Sequence, residues 1–544
     1  MNTKIFNKAS VLAAMFTMLL VMSCKKTLNV VPYSSFTDAT AFTTPARIEL
    51  AMNGVYDAAQ SGFYAGGAVR GYPFGAANVE QGDMRGEDML NQAAFYQITY
   101  EASYNPTTAN NVFMWNTLYA LINKANLVIE GVTSAVSNGV VSSAVGNSYI
   151  AECRFLRAMA THELLVHFAK PYADGNGSQL GIVIRNFGIN GDATVNQAKT
   201  VPRSSVAAGY AFVLGDLDFA ESNLLTSGGT NVGPFRATKA AAIALKMRVK
   251  LHMRDWPGVI AEGAKIVPTT PTLTSYPGFT SPIGGHKLMS TVAGPFGTTA
   301  APVASTIENI FSMKNDATDN PGVNGALASM FSNPNLGGRG LVPISPISWN
   351  LPAWRCDDLR RGATLVNNDG RSYYTNKYVD ITNRSDANPI IRYAEVLLTL
   401  AEAEARANGI TTKAIQLLND VRNRALPGGP GNFTTPPANS YTAASFANAN
   451  ALIQAILDER RIEFLGEGKR WGDIHRNILD ATFTTGGIPA KMTFGNATFA
   501  TYNCSGAALT KAIPLIPYTD FRFIWPIPLD EIQQNPIVAQ NPGY

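Results

Sequence analysis

Residues 391–425 carry the feature that most constrains the fold of this chain. Ile391, Ala394, Leu397, Leu398, Ala401 and Ala405 recur at three- and four-residue spacing, which places them on one stripe of a helix. Arg392, Glu395, Glu402 and Arg406 fall off that stripe and are expected on its polar side. Asn408-Gly409 supplies a stop, because Gly tolerates the left-handed conformation that ends helices. Thr411 and Thr412 then offer an N-cap hydroxyl. A second stripe follows in Ala414, Leu417, Leu418, Val421 and Ala425. Two helices joined by so short a link pack antiparallel, which predicts a hairpin of the tetratricopeptide kind.

Similar pieces occur earlier. Trp115, Leu118, Tyr119, Ile122, Ala125 and Ile129 form one stripe, and Phe155, Met159, Leu165 and Phe168 another, ending near Pro171. The latter helix carries Glu152, Arg154 and Arg157, expected on or beside its exposed side. Residues 206–225, 237–253 and 256–267 predict three more helices. Between the helical blocks the character changes. Eleven of the 31 prolines lie between Pro268 and Pro352, and residues 427–440 read PGGPGNFTTPPANS. Such density of Pro and Gly forbids long helices. Interspersed Phe, Ile, Leu and Trp make these segments too apolar for flexible linkers, so they are expected as ordered loops with short strands over a helical frame. Loops on a rigid frame are where ligand contacts usually sit.

The first residues have the character of a targeting segment. Lys4 and Lys8 precede an uncharged apolar run from Val11 to Met22. Twelve residues fall short of the roughly 20 that span a membrane and fit the core of a signal peptide, residues 1–23. The run ends at Val21-Met22-Ser23-Cys24, similar to a bacterial lipobox, in which Cys24 becomes the first mature residue and carries acyl chains. The rival is an ordinary secretory signal with an incidental Cys. The other cysteines, Cys153, Cys356 and Cys504, show no metal-ligand spacing, so they are expected as buried free thiols, with one disulfide open but not assignable. Removal of residues 1–23 lowers the formal charge from +4 to +2, which gives no electrostatic reason to expect a nucleic-acid partner.

Catalytic constellations find little support. His162-Glu163 and His167 resemble a zinc-protease helix motif, but a spacing of five sets the histidines roughly 140° apart around a helix, not on one face. Glu459, Arg460, Arg461, Glu463, Glu467 and Arg470 form a dense charged group. A glycosidase needs two carboxylates across a cleft, one with a raised pKa; here basic neighbours are expected to keep Glu459 and Glu463 ionised. An ion-pair network fixing the last helix against the C-terminal tail is the expectation. Gly466-Glu467-Gly468-Lys469-Arg470 lacks the spacing of a phosphate-binding loop, and no G-x-S-x-G elbow is present. Nothing in the residues implies a metal or another cofactor.

Several stretches together resemble the SusD/RagB family of Bacteroidetes nutrient-binding lipoproteins. In order they are WNTLYALINKANLVIE from Trp115, AECRFLRAMATHELLVHFAKPY from Ala151, VPRSSVAAGYAFVLGDLDFAESNLL from Val201, FRATKAAAIALKMRVKLHMRDW from Phe235 and IENIFSMKND from Ile307. The C-terminal half adds IIRYAEVLLTLAEAEARANG, AIQLLNDVRNRA, DERRIEFLGEGKRWGDIHR and the ending WPIPLDEIQQNPIVAQNPGY. The resemblance implies a mostly α, single compact unit: about four tetratricopeptide-like helix pairs covered by long loops and a few short strands. An N-terminal region, 24–230, and a C-terminal region, 231–544, are expected to pack together. It also implies a lipid-anchored outer-membrane receptor, facing the extracellular side, that hands cargo to a SusC-like TonB-dependent transporter as its hinged lid. Ala169 stands where the family commonly has Gly, and Lys25-Lys26 follow Cys24 where acidic residues often mark surface display.

The expected cargo is a glycan, with peptide as the alternative; a secreted glycoside hydrolase and a pure scaffold are the readings from other classes. Sugars pack flat C–H faces on aromatic rings, and their hydroxyls need donors and acceptors. The candidates in the expected ligand-facing loops are Tyr64, Tyr72, Phe74, Tyr96, Trp349 and Trp354, with Asn78, Glu80 and Asp83 as polar partners.

Overall fold

The computed structural model describes residues 38–62, 70–226, 233–298, 300, 306–504, 506 and 508–544. The signal segment, Cys24 and Tyr64 lie outside the described residues. The principal helices are α1 (Pro45–Gln60), α2 (Ala76–Met84), α3 (Ala94–Tyr100), α4 (Ala109–Ser137), α5 (Ser143–Phe168) and α6 (Val206–Asn223). They continue as α7 (Lys239–His252), α8 (Trp256–Ile266), α9 (Tyr393–Asn408), α10 (Thr412–Asn423), α11 (Ala449–Glu463) and α12 (Arg470–Asn477). From α4 to α10 each helix packs on its predecessor in the chain, while α1 covers α4 and α11 covers α9. This is the stack of antiparallel hairpins that the periodicity predicts. The apolar stripes meet in one cluster running from Ile48 to Val538.

The hairpin of residues 391–425 forms for the local reasons that the sequence suggests. Gly409 ends α9 at a φ of 75°, open to Gly at little steric cost. The Thr411 hydroxyl accepts from the Ala414 N–H at 3.1 Å and caps α10. Its start and its polar side differ from expectation. Ile391 and Arg392 belong to a strand, and Tyr393 is the first helical residue. Arg392, Glu395, Glu402 and Arg406 are not solvated. Neighbours α7, α8, α10 and α11 surround α9, so its charged residues are buried and must pair. Glu395 Oε1 receives Arg248 Nε at 2.6 Å, and Glu402 receives Arg476 at 2.7 Å and Arg406 at 2.8 Å. The same correction applies on α5. Glu152 and Arg157 are buried, the former against Arg236 and the latter bidentate to Asp216 at 2.8 and 2.7 Å.

The described residues of the Pro- and Gly-rich mid-chain are loop with few regular elements, and the short strands of the chain pair antiparallel. The strands are β1 (Leu180–Val183), β2 (Arg203–Ser205), β3 (Asn309–Met313), β4 (Val366–Asn368), β5 (Tyr373–Thr375), β6 (Asn388–Arg392), β7 (Gly487–Ile488) and β8 (Ile516–Pro517). They pair as β1–β2, β3–β6, β4–β5 and β7–β8. The β3–β6 pair, with Asn309 opposite Arg392, sets Glu308 beside the charged group of α11.

That charged group is a buried network. Arg392 reaches Glu308 at 2.6 Å, Glu463 at 3.0 Å and Glu467 at 2.9 Å, and Arg424 reaches Glu308 at 2.6 Å and Glu463 at 2.5 Å. Arg360 pairs with Asp358, Glu459 and Glu463. The expected partner, the C-terminal tail, is not in it. Instead the network ties α11 to β3, β6 and residues 358–360, and Arg461 and Arg470 reach across to Glu87 and Asp88. The tail is held elsewhere: Glu531 pairs with Arg185 at 2.5 Å, and Asn541 Nδ2 donates to Phe168 O and Trp525 O at 2.9 and 2.7 Å.

Close backbone approach completes the junction between the N- and C-terminal parts. A Cβ on Gly82 of α2 would lie 2.2 Å from the Gly468 carbonyl oxygen. The segment before the first hairpins is thereby locked onto the segment before α12.

Candidate functional site

The largest open cavity described lies at the entry to α4. It has a volume of about 520 Å³ and is walled by Tyr72, Phe95, Tyr96, Ile98 and Phe113. Polar groups interleave with the rings: Asn105, Thr107, Asn110 and Asn324, with Arg70 at one side. Three local devices build it. Helix α3 projects Phe95 and Tyr96, whose ring centroids are 4.5 Å apart. Asn110 clamps α3 to α4 by donating Nδ2 to Phe95 O and Thr99 Oγ1, both at 3.0 Å. The Tyr72 hydroxyl receives Gln81 Nε2 at 3.2 Å, which turns its ring toward Phe113 at 6.3 Å.

The walls leave apolar surface in contact with solvent, because Phe95 is 41% and Ile98 37% exposed. The Thr108 hydroxyl accepts from the Asn105 N–H instead of capping its own helix, so α4 opens on the cavity without a side-chain cap. Among the described residues, no lining side chain is a carboxylate.

The sequence candidates divide among three places. Tyr72 and Tyr96 meet in this cavity. Phe74 and Asn78 line a separate inner cavity of about 70 Å³ beside His162, His167, His252 and Arg248. Trp349 and Trp354 pack together at 5.3 Å in a third cluster, where the Arg361 guanidinium lies 4.5 and 4.3 Å from their rings. Trp349 is also stacked on Tyr373 at 4.0 Å, and Tyr373 on Phe499 at 5.3 Å. Both tryptophans are buried, and Phe499, 44% exposed, presents a ring to solvent.

Glu80 and Asp83 are fully buried, a change from their expected role as accessible polar contacts. Burial pushes each carboxyl up to about 8. A hydrogen bond from Tyr96 offsets this in part for Glu80, and the Asp88 charge adds to it for Asp83.

Sequence reasoning missed Phe95, Phe113, Arg70 and Asn324. Phe95 adjoins Tyr96, so its position in a loop-flanked helix was a usable signal. Phe113 sits in the first turns of a helix otherwise made of core positions, and only the fold shows that this end is uncovered.

The remaining charged groups are structural. His162 faces His252 at 4.8 Å, whereas His167 Nε2 lies 3.4 Å from Glu163 and its Nδ1 3.1 Å from Arg85, so the two imidazoles have different surroundings. Burial holds His162 down at about 4. At Glu463, burial is overcome by Arg424, Arg392 and Arg360, which keep its carboxyl well below the usual range. At Glu459 burial raises the pKa, with Arg360 at 2.6 Å opposing it. Both carboxylates are buried in the protein interior, without the open cleft that glycoside hydrolysis requires.

An aromatic and amide-lined cavity on a stack of helical hairpins defines a ligand-binding protein. The family description "SusD family" matches residues 359–544, and "Starch-binding associating with outer membrane" matches residues 28–251. The chain belongs to the SusD/RagB family. The SusD-like protein P38 of Formosa agariphila is 24% identical, with 96% of each chain covered. The SusD-like protein P25 of the same organism is 22% identical over 98% of this chain and 99% of that one. A solved SusD superfamily protein from Bacteroides fragilis superposes with a TM-score of 0.71 at 26% identity, covering 92% of this chain and 100% of that one. A laminarin-binding SusD-like protein shares the fold, with a TM-score of 0.63 at 18% identity over 92% of this chain and 100% of that chain.

Proposed function

We propose that this chain is a lipid-anchored outer-membrane receptor that binds an oligo- or polysaccharide in the cavity before α4 and delivers it to a SusC-like TonB-dependent transporter. One observation carries the cargo assignment. The cavity presents aromatic faces alternating with amides and hydroxyls, the mixture that sugar rings and their hydroxyls need. Its walls are helices and loop side chains, with no strand among the lining residues to pair with an extended peptide. A carboxylate-free lining also offers no general acid or base, which favours capture over cleavage.

The family supplies the rest. Anchoring rests on Cys24 after an apolar run, and the transporter and the lid role on the resemblance. Ligand that touches both partners would favour the closed state by its extra contacts there.

A glycan array beside a peptide pool tests the cargo, with Phe95→Ala as the site probe. Saccharide binding that drops about ten-fold in Phe95→Ala, as expected for loss of a ring contact, supports the assignment. Binding confined to peptides, or release of shortened product, sinks it. For the anchor, Cys24→Ala is expected to move the protein out of the membrane fraction; retention with lipid would refute acylation.

A further inference from the structure

Most of the buried arginines of this protein are ion-paired. Arg157, Arg236, Arg248, Arg392, Arg424 and Arg476 each meet a carboxylate within 3 Å. Arg70, which lines the cavity, and Arg339, beside it, are exposed and differ from these, as does Arg371 over the Phe494 ring elsewhere on the surface. Among the described residues, neither Arg70 nor Arg339 has a carboxylate partner within salt-bridge distance. The Arg70 guanidinium lies 5.9 Å from the Phe113 ring, and that of Arg339 lies 5.8 Å from the Phe95 ring. Arg339 Nη1 donates to Asn324 Oδ1 at 2.7 Å, which fixes it beside a lining residue.

The nearby acids do not neutralise these cations. Glu80 is buried and feels the Arg339 charge, yet burial outweighs it and holds the carboxyl up at about 8. Glu101, one residue beyond α3, is engaged by Gln97 at 3.0 Å and does not line the cavity. Residues 63–69, continuous in the chain with Arg70, contain no acidic side chain. The uncapped N-terminus of the 29-residue α4 adds partial positive charge on the same side.

We infer that the preferred cargo is an acidic saccharide, whose carboxylate or sulfate is met by Arg70 and Arg339 while its ring stacks on Phe95. This rests on the saccharide-receptor reading above. Arg suits the task, since its planar fork matches the oxygens of either anion.

Titration calorimetry with defined oligosaccharides separates the outcomes. Oligogalacturonate carries carboxylates, sulfated galactan fragments carry sulfate esters, and maltooligosaccharides and laminarioligosaccharides carry neither. Tighter binding of an acidic series, weakening as salt rises and falling about ten-fold in Arg70→Gln and in Arg339→Gln, is the expected result. Recovery in Arg70→Lys would assign the effect to charge. The series that binds identifies the anion. Equal or better binding of neutral sugars, unmoved by Arg70→Gln, overturns this inference and leaves the receptor reading standing. Binding of no saccharide overturns the receptor reading itself.

A second observation is independent of the cavity. Cys153 is buried, but Cys356 and Cys504 are exposed, not the buried thiols expected, and their side chains share a hydrogen bond. Their segments are clipped together, with Asn350 Nδ2 donating to Thr501 O and Asn503 N donating to Asn350 Oδ1, both at 2.8 Å. The geometry points to a Cys356–Cys504 disulfide in the exported protein. One thiolate attacks a disulfide donor, the second displaces the donor sulfur from the mixed disulfide, two protons leave, and the donor is reduced to two thiols. Full-length protein equilibrated with oxidised glutathione, alkylated and digested without reductant should give a linked 356/504 peptide pair that reductant separates. Alkylation of both thiols under those conditions would overturn the assignment, and Cys153 serves as the internal free-thiol control.

Discussion

Two arginine-rich regions of this molecule use the same side chain for opposite ends. Around α11 and β6, Arg392 and Arg424 are buried among Glu308, Glu463 and Glu467, with each cation meeting at least two acids. At the mouth of α4, Arg70 and Arg339 are exposed, lie near aromatic rings and form no salt bridge among the described residues, the buried Glu80 being the acid that feels Arg339. A buried charge must be paired, since desolvation costs several kcal/mol per ion. An exposed charge carries no such demand and is free to meet a ligand. In these two regions the acid-bound arginines hold the frame, and the arginines without a salt bridge face the cavity.

The largest expected effect breaks the frame. Arg392→Ala removes the cation that Glu308, Glu463 and Glu467 have in common and leaves three buried carboxylates to Arg424 and Lys377. Loss of about 3–5 kcal/mol is expected, the range for removing one partner of a buried ion pair. Chemical denaturation measures it. An unchanged midpoint would mean that the network is solvated or dispensable, and the contrast between the regions would fail.

An intermediate effect probes the floor beneath the cavity. Glu80 is held protonated in the folded chain by burial, with a pKa of about 8 against an ordinary 4.5. The folded state therefore binds more protons than the unfolded state between those values, so this group's contribution to stability declines as pH rises from about 4.5 to 8. Glu80→Gln keeps an acceptor for Tyr96 and removes the ionisation. It should stabilise the protein clearly at pH 9 and have little effect at pH 5. Denaturation at both values decides it; an equal effect at the two would show that Glu80 does not titrate in this window.

The two regions also differ in how far they were legible in the sequence. The frame's helices were readable because their causes are local: the 391–425 stripes, Gly409 and the Thr411 hydroxyl act within a few residues of one another. The frame's charges were misread because charge ordinarily signals exposure. Glu308 and Arg424 are 116 positions apart, and nothing short of the folded chain shows that they meet. The cavity was half legible. Tyr72 and Tyr96 stood out as aromatics near loops, but Trp349 and Trp354 shared that signature and became packed interior. Arg70, Arg339 and Asn324 carry no local signal, because their value lies in what is missing around them.

The smallest expected effect sharpens the contrast most. Arg70 is exposed, forms no ion pair among the described residues, and makes a single described ring contact at 5.9 Å. Arg70→Gln should change stability by less than about 0.5 kcal/mol, as surface substitutions away from structural features do. The same variant is expected to lose affinity for an acidic oligosaccharide. A residue that matters for cargo yet not for folding is what an unpaired cation at a binding site entails. If Arg70→Gln instead destabilised the protein by an amount near that of Arg392→Ala, Arg70 would belong to the frame, and the contrast between these two regions would fail.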